Sequence, residues 1–307
     1  RVTGVQTCAL PILSDFIISC CSTADLSREV LKENNIEYTC FHYNIDGKDC
    51  LDDLGETMPI SEFYKKMSEG AEPTTSQVSV GQYTEFFEKF IKEGKAVLHI
   101  SLSSGISGSY NSALIAKQEI LDKYPDAKLT VVDSISASSG YGLLVTLAAD
   151  MRAKGKSYEE TIEFIEKYKH NVHHWFFSTD LTSYIRGGRI SAAAGWFGTL
   201  LHICPLLRVD DAGKLIPVEK CRGKNKVITA IVDKMEKYAE NGTDYDGKCF
   251  ISNSACMDDV NAVISEIEKR FPKLKGKIEV FDIGTVIGAH TGPGTVALFF
   301  CGEQREK

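Results

Sequence analysis

Ala96-Val97-Leu98-His99-Ile100-Ser101 runs without a charge into Leu102-Ser103-Ser104-Gly105-Ile106-Ser107-Gly108 and then into Ser109-Tyr110-Asn111-Ser112. The first six residues read as a buried strand, the Ser/Gly run as a turn, and residues 108–123 as a helix. The unit recurs. Residues 16–19 form a short apolar strand that leads through Ser22-Thr23-Ala24-Asp25 into a helix around 26–34. Residues 129–133 form another buried strand, followed by the loop 134–140 and a helix over 143–153. Repeated strand, loop and helix units predict a parallel α/β sheet. Ligands of such sheets sit at the carboxyl ends of the strands.

Between these units the pattern changes. Residues 38–45 alternate like a strand and meet Asp46-Gly47, a two-residue hairpin turn. Ser61 is read as a helix N-cap with Gly70 past the end. Ser79 and Gln82 have the spacing of a capping box for a helix over 80–92, with Tyr83, Phe86, Phe87, Phe90 and Ile91 on its apolar face. The second half predicts a helix ending near His170 and a strand over 175–179. A hairpin over 206–219 turns at Asp211-Ala212-Gly213, and a helix over 224–240 closes at Asn241-Gly242. A strand at 250–253, a helix over 258–270 and strands at 278–282 and 295–300 complete a mixed α/β domain. Residues 1–12 look foreign to the rest and are set aside. The expected domains are an N-terminal one over 13–165 and a C-terminal one over 166–307, in keeping with the soft rule of about 150 residues per domain.

Composition narrows the class. Apolar residues make up 43% of 307 and charged residues 25%, which excludes disorder, collagen and coiled coil as the main state. The formal charge of −7, with no basic stripe, argues against a nucleic-acid partner. The ten cysteines include no CxxC pair and several lie in apolar runs, the usage of reduced thiols in a cytoplasm. Residues 190–207 carry no charge, and 283–301 none unless His290 is protonated. Both contain too much glycine, proline or histidine to insert stably in a membrane, and they read as buried core or as the walls of an apolar cavity.

Several chemistries are missing from the sequence. There is no GxSxG elbow, Walker A loop or GxGxxG run. His170, His173 and His174 lack the acidic residue of an HExxH motif and read as a solvated helix end, so no metal and no cofactor are expected. What remains is two hydroxyl-rich turns, 73–79 and 101–112, each followed by a helix whose free N–H groups favour an anion. Gly105 permits close backbone approach there. Arg189 stands at the start of the first uncharged stretch, His290 on a glycine-rich turn between two apolar strands, and Arg222 in a short basic group after a strand.

Thr75-Ser76-Gln77, Ser103-Ser104-Gly105-Ile106-Ser107-Gly108-Ser109-Tyr110, Val131-Val132-Asp133-Ser134, Gly187-Gly188-Arg189-Ile190 and His290-Thr291-Gly292-Pro293-Gly294 together resemble the DegV family. That family includes the fatty-acid-binding subunits of bacterial fatty acid kinase. The resemblance runs from about residue 15 to the end. It implies a two-domain DegV-like fold, with a mostly parallel sheet and helices in the N-terminal domain and a mixed α/β C-terminal domain. A long acyl chain would lie buried between or within the domains. It implies that Thr75, Ser76, Ser103 and Ser104 hold the carboxylate, that Arg189 and His290 face it, and that Arg222 meets a separate kinase subunit. That kinase would supply ATP and phosphoryl transfer, and this chain would be a cytoplasmic carrier with no catalytic residue. Val78 for a usual proline, Asn111 for a usual glutamine, Cys204 before Pro205, and Gly223 and Asn225 near Arg222 depart from the pattern. Two other functions fit the residues. One is an acyl hydrolase or transferase with Ser104 or Thr75 as nucleophile and His290 as base. The other is a sensor of another small carboxylate. The expected site is an apolar sleeve whose closed end carries the uncharged donors.

Overall fold

In a computed structural model, which describes residues 16–190 and 203–305, the alternating units form one sheet. The chain runs β1 (Phe16–Cys21), α1 (Arg28–Glu33), β2 (Ile36–Thr39), β3 (His42–Ile45), β4 (Lys48–Leu51), α2 (Ile60–Ser68) and β5 (Thr74–Ser76). It continues through α3 (Val80–Lys92), β6 (Ala96–Ser101), α4 (Ser109–Lys123), β7 (Leu129–Asp133), α5 (Ser138–Ala153) and α6 (Tyr158–Tyr168). Strands β2, β1, β6 and β7 pair in that order, all parallel. Ile18, Leu98, Ile100 and Val132 are fully buried, as a parallel sheet covered on both faces requires.

The stretch read as one strand over 38–45 breaks at Cys40-Phe41 into β2 and β3, which belong to different sheets. Asp46 and Gly47 both have positive φ and turn β3 into β4, and β5 pairs on the other side of β3. The capping box at Ser79 and Gln82 is present. The cap read at Ser61 is not: α2 starts at Ile60, so Ser61 lies inside the first turn, and the N-cap position is Pro59, whose side chain has no polar atom to cap with. Helix α5 starts five residues before its expected position. Its Ser138-Ser139-Gly140 start resembles a loop, but the small residues let the helix press against its neighbours. A Cβ at Gly142 would lie 2.5 Å from the Ala24 carbonyl oxygen, and one at Gly140 would strike the ring of His174.

The second half adds β8 (Val172–Ser178), α7 (Thr182–Arg186), β9 (Ile203–Val209), β10 (Leu215–Arg222), α8 (Lys224–Tyr238) and β11 (Cys249–Asn253). Then come α9 (Met257–Arg270), β12 (Glu279–Asp282), α10 (Thr285–Thr291) and β13 (Thr295–Cys301). Its sheet has the order β10-β9-β8-β13-β11-β12, antiparallel except for β11 with β12. Helix α5 packs on β1 and also on β8, β11 and β13, so it lies between the two sheets.

Two histidine readings are corrected here. His173 and His174 do not lie on a solvated helix end. Strand β8 begins earlier than read and carries both, 3% and 1% exposed. His173 stacks on Phe300 at 5.1 Å and Tyr238 at 5.2 Å, and His174 stands opposite Phe299. The pairing with distant β13 decides this. His290 is not on a turn: residues 285–291 are helical, and the turn follows at Gly292 and Gly294 with positive φ. Of the uncharged stretch 190–207, residues 191–202 lie outside the described residues. Among the described residues every cysteine is a free thiol, no cluster could hold a metal ion, and no helix is long and apolar enough to cross a membrane.

Candidate functional site

A cavity of about 190 Å³ lies between the carboxyl ends of the parallel strands and one face of the mixed sheet. Its walls follow the two backbone periods. His174 and Phe176 of β8, and Thr295, Ala297 and Phe299 of β13, are spaced by two and so share a face. Val286, Ile287, His290 and Thr291 of α10 recur at three and four and share a helix face. Leu102 and Ala137, just past β6 and β7, close the third side. The uncharged stretch 283–301 thus supplies much of the apolar wall.

Polar groups gather at one end. Thr75 Oγ1 and His290 Nε2 are 2.8 Å apart. Arg189 lies beside them, its Nε donating to the Ile106 carbonyl at 3.2 Å and its Nη1 to the Gly187 carbonyl at 2.6 Å. No carboxylate among the described residues pairs with it, so its charge is available to a ligand. Ser107 and Gln77 complete the rim, and Gln77 is exposed. The Gly-Gly-Arg run has a local cause. A Cβ at Gly187 would strike His290 Nδ1, and Gly188 turns the chain with positive φ to bring Arg189 back over the opening. This end faces solvent, whereas Ser138, His174 and Phe299 at the other end are buried. The donors therefore stand at the mouth of the cavity and not at its closed end, as the sequence had led us to expect.

Burial, then Arg189 and Arg186, push the His290 imidazole down to about 4, so the ring is neutral at physiological pH. An unfolded chain protonates it nearer its ordinary value of about 6.5. Its contribution to stability is therefore whole above about pH 6.5 and is lost as pH falls toward 4. In lipid-free protein the His290 ring signals should titrate near 4 by NMR. A bound long-chain carboxylate should raise that midpoint by offering the imidazolium an opposite charge. A midpoint that does not move on adding ligand would mean that no anion rests at this mouth.

The other residues singled out from sequence take different positions. Ser76 is exposed and pairs with His42 on the small antiparallel sheet. Ser103 is buried, its Oγ donating to the Gly213 carbonyl at 2.9 Å and accepting from Gly105 N–H at 3.0 Å. Ser104 is exposed and its N–H donates to Asp133. Gly105 does permit close approach, but of another chain segment: a Cβ there would lie 2.6 Å from the Ala212 carbonyl oxygen on the β9–β10 turn. Arg222 is exposed at the end of β10. Gln77 and Ser107 belong to motifs quoted from the sequence but are not among the site residues singled out there. Gln77 was findable, since it follows Thr75 by two on an extended segment and so shares its face while Ser76 points away. A Cβ at Gly108 would lie 2.6 Å from Gln77 Oε1, so that glycine lets the two hydroxyl-rich turns meet.

The buried end is anchored by two carboxyls. Asp25 accepts from Gly284 N–H at 3.0 Å and from Ser138 Oγ at 2.5 Å, and Asp52 accepts from Thr285 Oγ1 at 2.7 Å. Both are pushed above the usual carboxylate range, first of all by burial.

An α/β protein of two facing sheets, with an apolar cavity between them and a polar mouth, is built to hold a small amphipathic molecule. This chain belongs to the DegV family: the family model described as "Uncharacterised protein, DegV family" matches residues 18–303. A DegV domain-containing protein of Clostridium perfringens is 38% identical over 294 residues, 96% of this chain and 100% of its own length. A DegV family protein from Thermus thermophilus, solved in a study of its fatty acid binding, superposes with a TM-score of 0.81 at 27% identity, covering 94% of this chain and 99% of that one. The fatty acid kinase B3 protein of Streptococcus pneumoniae, solved loaded with linoleic acid, shares the fold with a TM-score of 0.79 at 22% identity, covering 94% and 100%. The expected DegV-like fold, a parallel sheet followed by a mixed one, is the fold of this chain.

Proposed function

We propose that this chain is a cytoplasmic lipid carrier. It holds one long-chain fatty acid with the tail in the cavity, and presents the carboxylate at the Thr75, Arg189 and His290 mouth to a separate fatty acid kinase. The observation that carries the reading is the division of the cavity: mostly apolar walls, with a guanidinium that no carboxylate among the described residues pairs and neutral donors at the exposed end. The tail supplies the affinity. About fifteen methylenes at roughly 0.8 kcal/mol each give on the order of 12 kcal/mol before association costs. The head requires orientation more than strength. Neutral hydroxyls donate to a carboxylate and equally to an acyl phosphate, while Arg189 offsets the added charge. Exposure at the mouth leaves the carboxylate within reach of a partner, and Arg222 is the proposed contact for it.

The contact between Thr75 and His290 has the spacing of a nucleophile and base, which favours the hydrolase reading. His290 Nδ1, however, has no partner among the described residues, so no carboxylate orients the ring or supports an imidazolium. A ring that protonates only near 4 is also a weak base at neutral pH. Serine-directed acyl probes should therefore leave both Thr75 and Ser104 unlabelled. Denaturing extraction and mass spectrometry of purified protein should release about one long-chain fatty acid per chain. Repeated preparations empty of lipid, or displacement of a fluorescent probe by short acids as readily as by long ones, would overturn the carrier reading and favour a carboxylate sensor.

A further inference from the structure

The cavity has a second polar pole that a carboxylate at the mouth does not use. His174 lines the cavity and is 1% exposed, yet neither ring nitrogen has a hydrogen-bond partner among the described residues. Burial first, then Arg305, hold the ring neutral, and the Val172 carbonyl is the weakest influence on it. A neutral imidazole carries one donor and one acceptor, and buried polar groups in native proteins almost always find partners. Leucine or phenylalanine would fill this position on an apolar wall without that cost. Ser138 also lines the wall; its proton goes to Asp25 Oδ2 at 2.5 Å and Ser252 Oγ lies 3.3 Å away, which still leaves Ser138 Oγ a lone pair with which to accept.

This pole is remote from the mouth. Asp25 joins Ser138 to Gly284 at the start of α10, whereas His290 lies in the last turn of that helix. The intervening rise, at about 1.5 Å per residue, is about 9 Å. His174 belongs with Ser138, because its ring lies against Gly140 two residues further along α5.

We propose that His174 and Ser138 form a subsite for a hydroxyl group carried partway along the acyl chain, so that chain-hydroxylated long fatty acids belong to this protein's ligand class. The proposal rests on the carrier reading above. The hydroxyl oxygen accepts the ring N–H and its proton goes to Ser138 Oγ. A second carboxylate is not expected here, since Arg305 acts on His174 from off the wall and is itself balanced by Asp211 and Asp210.

Lipid-stripped protein is titrated with stearic acid and with its 10-hydroxy and 12-hydroxy derivatives, in competition with a fluorescent fatty acid. At least one hydroxy acid should bind about tenfold more tightly than stearic acid, the worth of about 1.4 kcal/mol. His174→Phe should erase the preference, read as the ratio of hydroxy acid to stearic acid affinity within the variant itself, and His174→Gln should keep part of it. If His174→Phe fails to fold, the ring signals of His174 in the unchanged protein decide: they should shift with the hydroxy acid and stay in place with stearic acid. Equal affinity for all three acids with unmoved His174 signals overturns the subsite and leaves the carrier reading intact. Failure to bind any of them overturns both.

Discussion

An Ala297→Trp chain is expected to yield no fatty acid on denaturing extraction while keeping its fold. Ala297 lies midway along β13, 5% exposed, opposite Phe176 of β8, and both side chains enter the cavity. Its methyl group is the smallest side chain on that face of the two strands. An indole there fills the space proposed for the acyl chain and displaces about five methylenes, roughly 4 kcal/mol or a thousandfold in affinity. The bulk enters a cavity and not a close-packed core, so the usual penalty of overpacking does not apply. The lipid-free variant should melt no lower than lipid-free parent protein, whereas adding fatty acid should raise Tm only for the parent. An Ala297→Trp protein that still carries lipid would place the tail elsewhere.

Asp25→Ala should be among the most destabilising single changes in the chain, about 3 kcal/mol or more by urea denaturation. The substitution strands the Gly284 N–H and the Ser138 hydroxyl in a buried site, at roughly 1–3 kcal/mol each. It also leaves alanine at a left-handed φ of 47, which aspartate tolerates better. Asp25→Asn should fold nearly as well, because its amide oxygen still accepts from Gly284 and its NH₂ can donate to Ser138. The two variants also differ in pH dependence. Burial, then the neighbouring Asp52 charge against the Ser138 bond, holds the Asp25 carboxyl well above its ordinary range. A raised folded value means stability that is whole at low pH and declines as pH rises through that value. Asp25→Asn, uncharged throughout, should lose that share of the slope between acidic and neutral pH, and an unchanged slope would show that Asp25 is ionised in the folded protein.

The parallel sheet was legible because its strands are buried on both faces. Residues 96–101 and 129–133 read as short, mostly apolar runs without alternation, and β6 and β7 start and stop there. The capping box of α3 was legible for a local reason, since all its partners lie within four residues. The DegV membership was likewise readable from five motifs in order. Strand β8 was harder. Being covered on both faces it shows no alternation, so His173 and His174 looked like the end of a preceding helix. Helix α10 was hidden by its glycines, although its apolar residues keep helical spacing.

The chemistry of each turn was thus written in neighbouring residues: hydroxyls, glycines and a single arginine, in a pattern that suits an acidic head group. Which of them share one wall was not. Thr75 meets His290 across 215 positions of chain, and Asp25 meets Gly284 across 259. Packing two sheets against a common helix selects those encounters. It turns Ser103 toward a hairpin, Gln77 toward the mouth and His174 toward the cavity. Local propensity acts over a few residues, whereas the cavity exists only where segments far apart in sequence pack closely everywhere except along one channel.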